Sequence, residues 1–466
     1  MSALWTSSEI AKATGGTAIG DWHIKGLSID TRTIKQGDLF IPLKDERDGH
    51  DFIDMAYDKG AAAVISEIDV GARPHIRVAD SFKALQDLAI AARKRSSAKR
   101  IAVTGSVGKT TVKEMLAHVL RAYGKTHASQ KSYNNHWGVP LTLASMPKDC
   151  DFGVFEMGMN HAGELWKLSK IVCPDVAAIT KIARAHLAHF ASLQDIAHAK
   201  AEVFEGLVKN GIAITPSSFQ SRNVSRETKT FGYSKSDDAY IASSTCLNTR
   251  SEATINIKTG GGVQRLNVVL PFGGKHWIEN AALALLIVYE MGLEDLDIAV
   301  NALKNMSEIS GRGEVHKLSI EGKHVVLLDE SYNANPASMV AALNSLGLYE
   351  GRKIAVLGDM LELGATSDQL HAGLCDDIVK QGIDLVMMCG THMQSLADIL
   401  PASQHGGLYE NAQACLDALR KQVQDGDTIM IKGSNASGMH SLVQALKQKY
   451  LIQKSSIQNC GEAHVI

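Results

Sequence analysis

A chain of 466 residues exceeds what one ordinary core supports, so several domains are expected. Its 45% hydrophobic and 21% charged content is that of a soluble globular protein, and a net charge of −2 without a basic block gives a nucleic-acid partner no electrostatic support. Seven dispersed cysteines without a C-x-x-C pair read as reduced thiols, the N-terminus lacks a signal-peptide pattern, and the longest apolar run (281–289) is too short for a membrane span, so a cytoplasmic protein is expected.

In chain order, residues 1–97 read as a small α/β domain. It holds GLSIDTRTIKQGDLFIPL, GAAAVIS and the helix-like SFKALQDLAIAARKR, with polar SSAKR (96–100) as a linker. From Ile101, strands alternate with helices. RIAVTG is a strand, and the helix after it carries Val112, Met115, Leu116, Val119 and Leu120 on one face, with Gly124 placed to cap its end. DFGVFE, DVAAIT and GIAIT are further buried strands, the pattern of a doubly wound parallel sheet. GRGE (311–314) is a glycine-rich hinge. Beyond it HVVLLDE, RKIAVLGD, DLVMMCG and DTIMIKGS form a second alternating series whose polar ends are where such a sheet places ligand contacts. The expectation is an α/β chain of three domains. These are an N-terminal α/β domain (1–97), a central doubly wound, P-loop ATPase-like parallel sheet (98–312) and a C-terminal Rossmann-like sheet (313–466).

VTGSVGKTT (103–111) is a shortened phosphate loop. Glycines between a strand and a helix let backbone N–H groups approach phosphate, and the helix N-terminus adds partial positive charge. Gly105, Ser106, Val107, Gly108, Lys109, Thr110 and Thr111 would line the nucleotide, with Lys109 on the β/γ-phosphates and Thr110 on Mg²⁺. In FGVFEMGMNHAGE, Glu156 ends an apolar run. The motif alone leaves open a metal ligand or a solvated carboxylate, and Asn160 and His161 read equally as substrate contacts or turn-makers. His186, His189 and His198 have the count of a zinc site but no completing cluster, and Lys200 reads as a solvated helix lysine. DESYNANP (329–336), GDMLELG (358–364) and KGS (432–434) stand at strand ends and suggest a second ligand surface.

Taken in order, TGSVGKTT, YNNHWGVP, FEMGMNHAGE, AHLAHFASLQDIAHAKAEVF, GGKHWIENAALA, GRGE, DESYNANP, GDMLELG and KGS resemble the Mur ligases over nearly the whole chain. DESYNANP with GDMLELG is the most specific part. The resemblance implies a soluble, cytoplasmic, monomeric ligase that moves the γ-phosphate of ATP to a carboxylate, whose acyl phosphate an amine then attacks. The substrates implied are UDP-N-acetylmuramoyl tripeptide and D-alanyl-D-alanine, with neither nucleic acid nor membrane insertion. The implied cofactors are ATP and two Mg²⁺ ions. By resemblance Thr110 and Glu156 hold one ion, His186 belongs to the second, and Lys200 is carried as a carbamate that serves the metal site. Lys109, Lys200 and His186 are thereby the catalytic set. His276 and Asn280 match an element near the nucleotide, and Arg312 and Asp329 match ATP contacts. Asp30, Thr31 and Arg32 match the region that holds the UDP-sugar, and Asn134, Asn135, Asn160, His161, Asn333 and Asn335 are further candidate substrate contacts.

The chain departs from the family pattern at Asp45, at His136, at Asn435 where an arginine is usual, and at His440 where a glutamate is usual. Lys432 or Arg352 is the expected substitute for the missing arginine. The competing readings are a ligase of the same chemistry with another amine acceptor, and a nucleotide-binding regulatory protein without ligation.

Overall fold

The computed structural model describes residues 3–130, 132–184, 190, 192–221, 224 and 227–452. The chain divides into two compact units, Met1–Ser307 and Glu308–Ile466. Among the described residues no helix is long and apolar enough to cross a membrane.

The first unit holds two principal sheets. A five-stranded sheet lies within the first 77 residues, parallel except for the pairing of Thr17–Ile19 with His75–Arg77. The helix Ser81–Arg95 has the extent expected of it. It buries Ala84, Leu85, Leu88, Ala89 and Ala92 at helical spacing, and Asp80 caps its start. Those residues share one core with Ala102, Phe155 and Ile179 of the next sheet, and Trp5 reaches across to donate its indole N–H to Ala144 O at 2.9 Å. The expected linker at 96–100 is shorter than proposed. Ala98 is buried and Lys99 already begins a strand, because Arg100 donates to Asp175 and to Cys173 O at the rim of the central sheet.

That central sheet has nine strands. Thr126–Ala128, Phe152–Glu156, Lys99–Thr104, Val176–Ile179, Ile212–Pro216, Thr228–Gly232 and Ala239–Cys246 run parallel in this spatial order. Ser251–Thr259 and Gly262–Leu270 extend it as an antiparallel meander, which the sequence reading missed. The strand Lys99–Thr104 sits where the chain order reverses, with Phe152–Glu156 on one side and Val176–Ile179 on the other. The loops leaving these three strands therefore flank one crevice, the standard ligand position of such a sheet. The helix Lys109–Leu120 buries the whole predicted stripe; its C-cap residue is Arg121, and Gly124 closes the following turn by donating its N–H to Leu120 O at 3.0 Å. Glycine is needed at 124 for another reason: a Cβ there would lie 2.5 Å from Asp151 Oδ2, which accepts the Lys125 N–H.

In the second unit a six-stranded sheet is parallel apart from the hairpin Glu314–Ile320/Lys323–Asp329. Alternate strand residues feed two cores. Leu357, Met388 and Met430 pack with the helix Pro336–Leu346, and Val356, Met387 and Ile431 pack with Ala412–Gln422 and Met439–Tyr450. Helices on both faces make this the expected Rossmann-like sheet.

Candidate active site

The strand Lys99–Thr104 delivers the chain into the loop 105–108, and the helix Lys109–Leu120 starts from Gly108 without a side-chain cap. The start of this helix carries the partial positive charge that favours an anion. Close approach dictates the first glycine: a Cβ on Gly105 would fall 1.9 Å from Thr180 Oγ1. Backbone conformation dictates the second, since Gly108 has φ 85°. The loop is pinned from the neighbouring strand end. Ser106 N–H donates to Lys181 O at 2.7 Å, Ser106 Oγ to Ala183 O at 3.0 Å, and Thr180 Oγ1 to Val107 O at 2.5 Å. Lys109 folds back over the loop, its Nζ 2.8 Å from Gly105 O. Thr110 and Thr111 are buried, and Thr110 Oγ1 lies 3.2 Å from Ser132 Oγ.

Glu156 ends the adjacent strand in register with Val103, one residue short of the loop's own strand end. It is 1% exposed, so the solvated-carboxylate reading does not hold. Asn134 Nδ2 donates to its Oε1 at 2.8 Å, while its Oε2 is buried without a hydrogen-bond partner among the described residues. An unpaired buried carboxylate oxygen beside a phosphate loop fits a hard divalent cation such as Mg²⁺, with the Thr110 hydroxyl as a second oxygen donor.

Lys200 departs furthest from its bland reading. It lies on the helix Leu193–Ala201 and is 1% exposed, and its ammonium makes no hydrogen bond or ion pair with a described residue. Burial, and secondarily the Lys109 charge, holds its ammonium well below the usual lysine range. His186 and His189 lie outside the described residues. His198 is half-buried, and its ring accepts from Gln194 at 3.1 Å.

The other candidates of this unit divide. Asn280 flanks the loop, since a Cβ on Gly108 would stand 3.0 Å from its Oδ1. His276 precedes it by one turn of the helix Lys275–Glu290 and packs on Trp277. Asn135 is a helix-start residue, accepting from Trp137 and Gly138 N–H. Asn160 and His161 are exposed, and His161 lines a cavity of about 530 Å³ with Asp195, His198 and Glu202. Near the five-stranded sheet Asp30 and Arg32 form an ion pair at 2.7 Å, which lowers the Asp30 pKa and raises that of Arg32. Tyr133 adds weakly to the latter, so this pair lies in electrostatic reach of the 133–135 segment. Thr31 is buried and gives its carbonyl to Lys59 Nζ.

Arg312, Asp329, Asn333 and Asn335 belong to the second unit and form their own group there. Arg312 stacks its guanidinium 4.5 Å from the Tyr332 ring centre. Asp329 is fully buried. Its Oδ1 accepts from Ser331 N–H and Oγ, and among the described residues its Oδ2 has no hydrogen-bond partner. Asn335 caps the helix Pro336–Leu346 in a reciprocal box with Ser338, and Asn333 is exposed. His440, noted in the sequence as a departure from the usual glutamate, places its Nδ1 3.2 Å from Ser331 Oγ, a contact with Ser331 that the sequence did not indicate. Glu314, His316 and Asp329 also bring ligand-type atoms within 4.8 Å of one another, but Lys447 Nζ stands 3.3 Å from Glu314 and supplies a protein cation there. Neither expected substitute for arginine at 435 is free. Lys432 is buried against Glu330 and Asn333 O, and burial pulls its pKa down while raising that of Glu330. Arg352 precedes its strand and is bound to Asp427 at 2.9 Å, at the opposite end of the sheet from residue 435.

Three family models match the chain in order: the Mur ligase family, catalytic domain (residues 23–99), the Mur ligase middle domain (103–288) and the Mur ligase, glutamate ligase domain (311–435). The chain belongs to the Mur ligase family and is an ATP-dependent ligase. Within that family it is similar to the UDP-N-acetylmuramoyl-tripeptide–D-alanyl-D-alanine ligase of Escherichia coli, with 34% identity over 95% of this chain and 98% of that one. It is likewise similar to the ligase of the same name from Rickettsia prowazekii, with 33% identity over 94% and 99%. A crystal structure of MurF from Acinetobacter baumannii superposes with a TM-score of 0.82 at 29% identity, covering 96% of this chain and 99% of that one.

Proposed function

We propose that this chain joins the terminal carboxylate of UDP-N-acetylmuramoyl tripeptide to the amine of D-alanyl-D-alanine, with hydrolysis of ATP to ADP and phosphate, in cytoplasmic peptidoglycan precursor synthesis. The full-length likeness to ligases of that name supports the substrates. The observation that favours ligation over nucleotide sensing is Lys200, a buried lysine without an anionic partner among the described residues. Simple phosphate binding does not need such a group.

A carboxylate resists an amine until one of its oxygens becomes a phosphate leaving group. The loop 105–111 binds the phosphates, and Lys109 balances charge on the transferring group as the substrate carboxylate attacks the γ-phosphorus. The amine then attacks the acyl carbon, forming the amide as phosphate leaves with the C–O bond electrons. Thr110 and Glu156 would hold Mg²⁺, which when bound screens the phosphates; a second ion would engage His186 and the Lys200 carbamate. The carbamate forms when the neutral Lys200 amine adds to CO₂ and releases one proton, and burial, by depressing the Lys200 pKa, favours that neutral amine. His276 and Asn280 flank the nucleotide, and Arg312 and Asp329 match the family's ATP contacts. Asp30, Thr31 and Arg32 hold the UDP-sugar end. Asn134 is the carboxylate's partner as well as a candidate substrate contact, and Asn160, His161 and Asn333 remain substrate contacts. Asn335 is better accounted for as a helix cap.

The test is phosphate release measured with each substrate withheld in turn. Release that needs both the UDP-muramoyl tripeptide and D-alanyl-D-alanine supports the proposal, and ATP turnover with neither opposes it.

A further inference from the structure

Lys113 lies one turn beyond Thr110 on the phosphate-loop helix, where the predicted apolar stripe leaves a lysine to solvent. It is instead 0% exposed, which lysine almost never is unless paired. Its Nζ pairs with the Glu114 carboxylate and donates to Ser129 O at 2.9 Å. Ser129 is itself 3% exposed and brackets the end of the neighbouring strand. Its N–H donates to Val154 O at 3.1 Å, and its Oγ accepts the Glu156 N–H at 3.3 Å.

This arrangement answers a geometric need. The two proposed oxygen ligands described here stand on different elements, Thr110 on a helix and Glu156 on a strand end. Strand pairing sets Glu156 opposite Val103, while the helix bearing Thr110 is held by apolar packing, which is not directional. The Lys113 ammonium adds a directional tie, because a shift of the helix would cost it the Ser129 carbonyl while Glu114, on the same helix, moves along with it.

We infer that Lys113 is a positioning residue for the metal site: through Ser129 it fixes the helix bearing Thr110 against the strand end bearing Glu156. The inference rests on the proposed metal role of those two residues. A purely structural lysine would lower stability without altering how the enzyme uses its cation.

The experiment is a Mg²⁺ titration of the full chain on Lys113→Met, Ser129→Ala and Glu156→Gln, read both by phosphate release with all three substrates saturating and by calorimetric Mg²⁺ binding in the presence of ADP, which gives a midpoint even for an inactive variant. Loss of a direct partner of a metal ligand weakens metal binding about 10–100-fold, and Lys113 acts one contact further out, so Lys113→Met should raise the half-saturating Mg²⁺ by about tenfold, the low end of that range, with KM for the UDP-muramoyl peptide unchanged. Ser129→Ala should raise it by a smaller factor, since it removes only the bond to the Glu156 N–H. An unchanged Mg²⁺ midpoint in Lys113→Met, with activity falling only as stability falls, overturns the inference. Should Lys113→Met not fold, Ser129→Ala decides, and an unchanged midpoint there overturns it equally. Glu156→Gln separates the two levels. If its own midpoint does not move, the metal assignment fails, and the positioning role falls with it.

Discussion

Asn134 Nδ2 donates to Glu156 Oε1 at 2.8 Å, and among the described residues the other oxygen of that buried carboxylate has no hydrogen-bond partner. One oxygen is thus held by the protein and the other left for a ligand, which defines the direction from which a cation must approach. Replacing Asn134 with Ala leaves both oxygens of a 1%-exposed carboxylate without a partner. The expected cost is about 1–3 kcal/mol of stability, together with a raised Mg²⁺ requirement. Chemical denaturation and a Mg²⁺ titration check the two effects separately, and normal values of both would show that the amide does not orient Glu156.

Lys109→Ala should leave the fold intact and reduce turnover by at least about 100–1000-fold, the scale for losing one group that stabilises transition-state charge. The side chain folds over the loop to Gly105 O and packs no core, so the thermal midpoint should hardly move. Ligation at a comparable rate in the variant would sink the phosphate-loop assignment.

The pH dependence follows from Lys200. Its folded pKa is depressed, so between that value and the unfolded one near 10.5 the unfolded chain holds a proton that the folded chain does not. In this window the Lys200 contribution to stability rises with pH, and it is lost as pH falls through the folded pKa. The same neutral amine is what adds to CO₂. Enzyme stripped of CO₂ at mildly acidic pH should lose activity and regain it on addition of bicarbonate, while Lys200→Ala should respond to neither treatment. Carbon-13 spectroscopy on protein exposed to labelled CO₂ should show a carbamate that is missing from the variant. Full activity without CO₂ would refute the modification.

Sequence legibility followed the periodic signals. The helix Lys109–Leu120 and the strands ending at Thr104, Glu156 and Ile179 declared themselves through spacing and apolar runs. The meander over 239–270 did not, because its strands alternate and carry polar exposed faces, although TGGG (259–262) marks its turn. Burial of charge was the least legible property. Glu156, Lys113 and Lys200 look like surface residues by type, and their burial depends on partners far along the chain, as Asn134 does for Glu156. The family resemblance singled out Glu156 and Lys200. It did not single out Lys113, and it left Asn335 among substrate contacts although the side chain caps a helix.

Asn435 is exposed at the start of the loop after the strand Thr428–Lys432, and both Lys432 and Arg352 are committed elsewhere. Restoring arginine there introduces a solvated charge. Asn435→Arg should therefore change acceptor or phosphate affinity by only about 0–1 kcal/mol. Steady-state kinetics with varied D-alanyl-D-alanine would measure it, and a hundredfold gain in kcat/KM would show that the natural chain is a weakened ligase.

The central claim is the acceptor. A dipeptide offers an amide and a terminal carboxylate beyond its amine, and a site built to pair those groups leaves its own polar atoms unsatisfied when free D-alanine binds. The direct measurement is kcat/KM for D-alanyl-D-alanine against D-alanine, with UDP-N-acetylmuramoyl tripeptide and ATP saturating and the amide product identified by mass. The account predicts a preference for the dipeptide of at least about 100-fold, the scale of losing one or two buried polar contacts. Equal use of the two amines, or preference for free D-alanine, would contradict it.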